Sequence, residues 1–217
     1  DTKKLMLTSS RASEGKSFSS LSLARKLAER GKRIALVDTD LRRSRIVSTY
    51  GVKFPQDSKK YGLSHYLAGI AEQDEVLYKT NVAGMDFVPV GRDLLNPLPL
   101  LSSNRFQALL DRLAEAYDYV IVDAAPVGVV IDAAEIAKYC DGILLVVNYN
   151  QVHRQELIDA KAQLENSGCP ILGTILNQVD YDGFTNKKYY YKSHYYSYYK
   201  AYEKGADEKG ADEKKKG

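Results

Sequence analysis

The chain has 217 residues, 44% hydrophobic and 27% charged, enough for one packed domain with a tail. No apolar run approaches the ~20 residues of a membrane-spanning helix, and no signal peptide opens the sequence as given. A net charge of +3 is too small to argue for a nucleic-acid partner, and two cysteines (Cys140, Cys169) with three scattered histidines make neither a metal motif nor a disulfide framework. Inert thiols in a reducing cytoplasm are the expectation.

In chain order, Leu5-Met6-Leu7 reads as a strand, and Ser17 to Arg30 carries apolar residues at 18, 21, 24, 27 and 28, a helical spacing stopped by Gly31. Arg33 to Val37 is the next strand, Leu63 to Leu67 a short helix and Met85 to Val90 an extended segment. Phe106 to Ala116 has a helical stripe at 106, 109, 110 and 113. Tyr119 to Val122 and Ile143 to Val147 are near-continuous apolar runs; a polar-faced helix at Gln155 to Asn166 and a strand at Ile171 to Leu176 follow. Such runs suit strands buried on both faces, and their alternation with helices predicts an α/β fold with a doubly wound, mostly parallel sheet.

After Gly183 the composition changes. Tyr189, Tyr190, Tyr191, Tyr195, Tyr196, Tyr198, Tyr199 and Tyr202 place eight of the 17 tyrosines within 14 residues, and Glu-Lys-Gly-Ala-Asp then occurs twice before a lysine run. Residues 184–217 hold nine lysines against five acidic residues, which leaves residues 1–183 close to neutral. With too little apolar surface to offset its ordering entropy, this end is expected to be a disordered tail on a domain at 1–183.

Between the first strand and the first helix lies Ser10-Arg11-Ala12-Ser13-Glu14-Gly15-Lys16-Ser17. Gly-Lys-Ser in a strand–loop–helix setting is the core of a P-loop, whose amides and helix N-terminus cradle phosphate oxygens. Lys16 is placed to reach the β/γ-phosphates and the Ser17 hydroxyl to bind Mg²⁺. The usual first glycine of the motif is replaced by Ser10. Two further strands end in carboxylates: Ile34 to Asp40 in Asp38 and Asp40, and Val120 to Asp123 in Asp123. In open α/β sheets the ligand crevice lies beyond the carboxyl ends of the strands, so these three should converge on the loop, where hard oxygens suit Mg²⁺.

With these motifs the chain resembles the bacterial tyrosine kinases (BY-kinases) that regulate capsule and exopolysaccharide assembly. The resemblance covers residues 4–183, with the tail in keeping. An apolar triplet followed by Asp-x-Asp-x-Arg is matched by Ala35-Leu36-Val37-Asp38-Thr39-Asp40-Leu41-Arg42, and a Walker B strand ending in Asp, then Pro, by Val120 to Pro126. Gly62-Leu63-Ser64, Leu67-Ala68-Gly69 and Asn96-Pro97 with Leu100 to Ser103 match further segments, and the tyrosines match an autophosphorylation cluster. Ala12-Ser13 stands where many members have Pro-Gly, and Ala124-Ala125-Pro126 where many have a Thr-Pro-Pro ending. The family's arginine-containing helix before the first strand, which helps assemble rings, is not among these residues.

The resemblance implies a P-loop NTPase of the deviant-Walker, partition ATPase-like type, acting as an ATP-dependent tyrosine autokinase with Mg²⁺. Ala12, Ser13, Glu14, Gly15, Lys16, Ser17 and Phe18 would bind nucleotide, and Ser17, Asp38, Asp40 and Asp123 the metal. Lys16, Asp38, Asp40 and Arg42 would be catalytic. Asp38 is assigned to accept the phenol proton, in a role interchangeable with that of Asp40. Asn177 is placed near the adenine or in a turn; Arg42 and Arg43 at transition-state charge or on a solvated patch. The eight tail tyrosines would be phosphoacceptors in trans. Implied partners are ATP and ADP, further copies of the chain, a membrane adaptor of the polysaccharide co-polymerase type and a cognate tyrosine phosphatase, with no nucleic acid. The implied location is the cytoplasm, at the inner face of the plasma membrane. Two other readings remain: a partition or cell-division-site ATPase, whose signature lysine is here Arg11 and which lacks a tyrosine cluster, and a nucleotide-binding regulatory scaffold.

Overall fold

The computed structural model describes residues 2–179. The tail and its eight tyrosines lie outside the described residues, as does the boundary drawn at Gly183. The elements run β1 (Lys4–Ser9), α1 (Lys16–Glu29), β2 (Ile34–Asp38), α2 (Ile46–Thr49), α3 (Leu63–Leu67), α4 (Gln73–Val76), β3 (Tyr78–Lys79), β4 (Met85–Val88), α5 (Leu98–Leu101), α6 (Asn104–Ala116), β5 (Tyr119–Asp123), α7 (Asp132–Ala137), β6 (Gly142–Asn148), α8 (Arg154–Glu165) and β7 (Ile171–Asn177).

The seven strands form one sheet in the order β3-β4-β2-β5-β1-β6-β7. Every pairing is parallel except that of β3 with β4. The doubly wound reading is correct, with an antiparallel edge strand added. Strand alternation sends neighbouring residues to opposite faces. Leu7, Ile34, Leu36, Ile121 and Val146 join Ala24 and Ala28 of α1 in one core. Met6, Ala35, Val37, Val120, Val122 and Ile143 meet Phe106, Leu109, Leu110 and Leu113 of α6 in the other.

The two long helices have clear stops and starts. Gly31, at φ 82°, takes the left-handed conformation after α1, and its N–H bonds the Ala28 carbonyl. The Ser103 side chain accepts from the Phe106 N–H and caps α6. The sheet register sets Leu7, Asp123 and Asp38 side by side on β1, β5 and β2. Those carboxyl ends hold the site.

Candidate nucleotide and phosphoryl-transfer site

The loop from Ser10 to Gly15 carries β1 into α1 and leaves the first amides of a 14-residue helix free to face an anion. Ser13 has φ 68° and Gly15 φ 87°. The left-handed backbone at Ser13 is the physical reason a glycine suits that position. At Gly15 there is a second constraint: a Cβ would lie 1.9 Å from Asn177 Nδ2. Asn177, at the end of β7, donates instead to the Glu14 carbonyl at 2.9 Å, so the structure seats it on the phosphate loop. Ala12 and Phe18 are exposed, at the loop tip and on the first turn of α1.

Lys16 Nζ lies 3.3 Å from Asp40 Oδ2 and 3.4 Å from Asp123 Oδ2. Burial alone would lower its pKa, but Asp123, Asp40 and Asp38 together hold it above the ordinary lysine value. The Ser17 hydroxyl donates to Asp123 Oδ2 at 2.6 Å. Asp38 is fully buried; burial and the neighbouring Asp123 push it up to about 8, against a hydroxyl donated by Ser44 and the Asp40 N–H. Asp38, Asp40, Asp123, Lys16 and Ser17 are thus brought together, with three carboxylates around one lysine.

That surplus of hard oxygen donors fits a divalent cation completed by phosphate oxygens and water. No three His, Cys, Asp or Glu side chains among the described residues are arranged to hold a metal by themselves, so Ser17, Asp38, Asp40 and Asp123 do not form a closed cage.

Arg42 is placed differently from the sequence expectation. Its Nε and Nη2 grip Asp132 at 2.6 and 3.0 Å, and Nη1 donates to the Leu95 carbonyl at 2.8 Å. The guanidinium therefore ties the loop after β2 to the start of α7. Arg43 is exposed, with its N–H on Asp40 Oδ1 at 3.2 Å. Sequence reasoning missed Asp132, Ser44 and Ser20, whose hydroxyl lies 2.9 Å from Asp123 Oδ1. None sits in a motif; only tertiary proximity exposes them. Cys140 and Cys169 precede β6 and β7, at the amino ends of those strands, and burial pushes both thiols up.

Residues 2–165 match the family model described as an AAA domain. The chain is 39% identical over 180 residues to the tyrosine-protein kinase CpsD of Streptococcus agalactiae serotype III (strain NEM316), covering 83% of this chain and 76% of that protein. Its structure is similar to the kinase domain of the Escherichia coli tyrosine kinase ETK, with TM-score 0.77, 31% identity and 89% and 72% of the two chains covered. The septum site-determining protein MinD of Pyrococcus horikoshii OT3, solved with Mg-ADP, shares the fold at TM-score 0.68 and 21% identity, covering 87% of this chain and 73% of that one. The strand-end carboxylates, the phosphate loop and these relatives agree: the chain belongs to the AAA-domain family and, within it, to the bacterial tyrosine-protein kinases.

Proposed function

We propose that the chain is an ATP-dependent protein-tyrosine autokinase that phosphorylates its tyrosine-rich end in trans and thereby regulates capsule or exopolysaccharide synthesis. The observation that carries this reading is Lys16 held between Asp40 and Asp123 with buried Asp38 beside them, at the ends of three adjacent strands. Mg·ATP, when bound, supplies the phosphoryl group and part of the charge neutralisation. Lys16 and the amides of Glu14 to Ser17 would hold the phosphates, and Ser17, Asp40 and Asp123 would hold the metal. Phosphoryl transfer needs chiefly such positioning and electrostatic support.

In its ionised form, Asp38 takes the phenol proton. A tyrosine hydroxyl titrates near 10, and a carboxyl raised to about 8 lies far closer to it than an ordinary one. Ser44 and the Asp40 N–H orient that carboxyl. Arg42 acts through its grip on Asp132, holding the Asp38–Asp40 loop in place.

Partners on this reading are further copies of the chain, a membrane adaptor of the polysaccharide co-polymerase type that recruits it to the inner face of the plasma membrane, and a tyrosine phosphatase. No helix among the described residues is long and apolar enough to cross a membrane. The test is intact mass spectrometry after incubation with Mg·ATP, alongside Lys16→Met and a chain ending at Gly183. Steps of about 80 Da are expected on the unmutated chain alone, one per phosphate. ATP hydrolysis without any mass step would favour the partition-type ATPase instead.

A further inference from the structure

Glu14 was placed in the nucleotide site for its backbone amide, yet its side chain is 3% exposed and points into the protein. Oε2 accepts the Arg11 N–H at 2.6 Å and the Ser10 hydroxyl at 2.9 Å; Oε1 accepts the Asn148 N–H at 3.1 Å. Among the described residues no lysine or arginine forms an ion pair with it: the neighbouring Arg11 guanidinium reaches Glu156 and the Gln151 carbonyl instead. A buried carboxylate is tolerated when its oxygens are hydrogen-bonded, and here three donors reach them, at least one on each oxygen.

The positions of those donors carry the inference. Ser10 and Arg11 are the first residues of the phosphate loop, Glu14 is near its end, and Asn148 terminates β6, which pairs with β1. The Glu14 carbonyl receives the Asn177 side chain from β7 at 2.9 Å, and Asn148 Nδ2 donates to Gln178. The Glu14 side chain therefore closes the loop on itself and fastens it to the end of β6, while the Glu14 carbonyl fastens it to the end of β7.

We propose that Glu14 is a positioning residue: its carboxylate is an internal anion that shapes the phosphate loop before nucleotide arrives. An anion-binding loop converges its amides on one concavity, and a fixed negative group behind the loop can hold the chain in that arrangement. Glu14 supplies that charge from behind, and the Ser10 hydroxyl supplies a donor where a glycine would supply none. The rigid loop is then complementary to phosphate without having to order on binding, which raises affinity by the fraction of molecules already competent. The proposal rests on the nucleotide-site reading, although not on tyrosine being the acceptor.

Glu14→Gln tests it with almost no change of shape. The amide has one acceptor oxygen, so whichever way it turns, its NH2 faces the N–H of Arg11 or of Asn148. In the nucleotide-free full chain, hydrogen exchange at whichever of the Arg11 and Asn148 amides loses its acceptor should accelerate about tenfold or more, while the α6 amides keep their protection. The calorimetric Kd for Mg·ADP should weaken about tenfold, since tenfold corresponds to one lost buried hydrogen bond. Ser10→Ala removes a single donor and should weaken Kd by about two- to fivefold, with folding unaffected. Unchanged exchange at Arg11 and Asn148, or unchanged Kd in both variants, would overturn the proposal. Failure of the unmutated chain to bind Mg·ADP at all would instead overturn the nucleotide-site reading.

Discussion

Asp38 shows how one residue can serve catalysis at the expense of stability. Its carboxyl is raised to about 8 in the folded chain, whereas an exposed aspartate titrates near ~3.9. Between those values the folded state holds a proton that the unfolded state has released, so the contribution of Asp38 to stability falls as pH rises from about 4 to about 8. Without nucleotide or metal, the Tm should decline across that interval. Asp38→Asn should flatten the decline and raise Tm at pH 8 while abolishing phosphoryl transfer, as calorimetry and mass spectrometry would show. Arg42 makes a different prediction. Asp132 is 2% exposed and both its oxygens are taken by Arg42, so removing either partner strands the other. Arg42→Lys and Asp132→Asn should each cost about 1–3 kcal/mol in urea unfolding. Because they break the same contact, the double variant should lose little more than the worse single one.

At the scale of elements, packing against the loop matters as much as the loop itself. Gly128, between β5 and α7, sits so close to β1 that a Cβ would lie 2.2 Å from the Ser10 carbonyl oxygen. Backbone cannot yield to that, so Gly128→Ala should push the connection off the phosphate loop. Weaker Mg·ADP binding by calorimetry, with the far-ultraviolet spectrum retained, is the expected result. In α6, Phe106 is fully buried and packs edge-on against Tyr139. Phe106→Ala should destabilise the domain by about 3–5 kcal/mol in denaturant without altering Kd for nucleotide, since α6 lines the core rather than the crevice. The elements that escaped the sequence reading are α2, α4, α5, α7 and β3, of two to six residues. Runs that short hold one turn or one pair, too little for a period to register.

For the molecule as a whole, charge is the variable that phosphorylation changes. Residues 184–217 carry nine lysines against five acidic residues, and each phosphotyrosine adds about −1.5 to −2. Eight would bring roughly −12 to −16 and reverse the sign of this end. A basic segment drawn to a neighbour's carboxylates would then be repelled from them. Self-association in ultracentrifugation should therefore weaken after incubation with Mg·ATP, most strongly at low salt, and stay unchanged in Lys16→Met.

Much of this protein was legible before folding was considered. Parallel strands need apolar runs, helices need a 3.6-residue stripe, and a phosphate loop needs Gly-Lys-Ser at a helix start; each requirement is local, so each leaves a local trace. The carboxylates at 38, 40 and 123 were legible for a related reason, because strand ends in such a sheet share one edge. What tertiary structure alone decided was direction. A guanidinium in the Asp-x-Asp-x-Arg motif could face phosphate or protein, and Asp132, distant in sequence, drew Arg42 inward. A glutamate in a loop reads as solvated, yet the end of β6 offers Glu14 an unpaired N–H and buries it. Hydrogen bonds between residues 90 or 134 positions apart have no periodicity, and only the folded chain reveals which donors a buried acceptor will find.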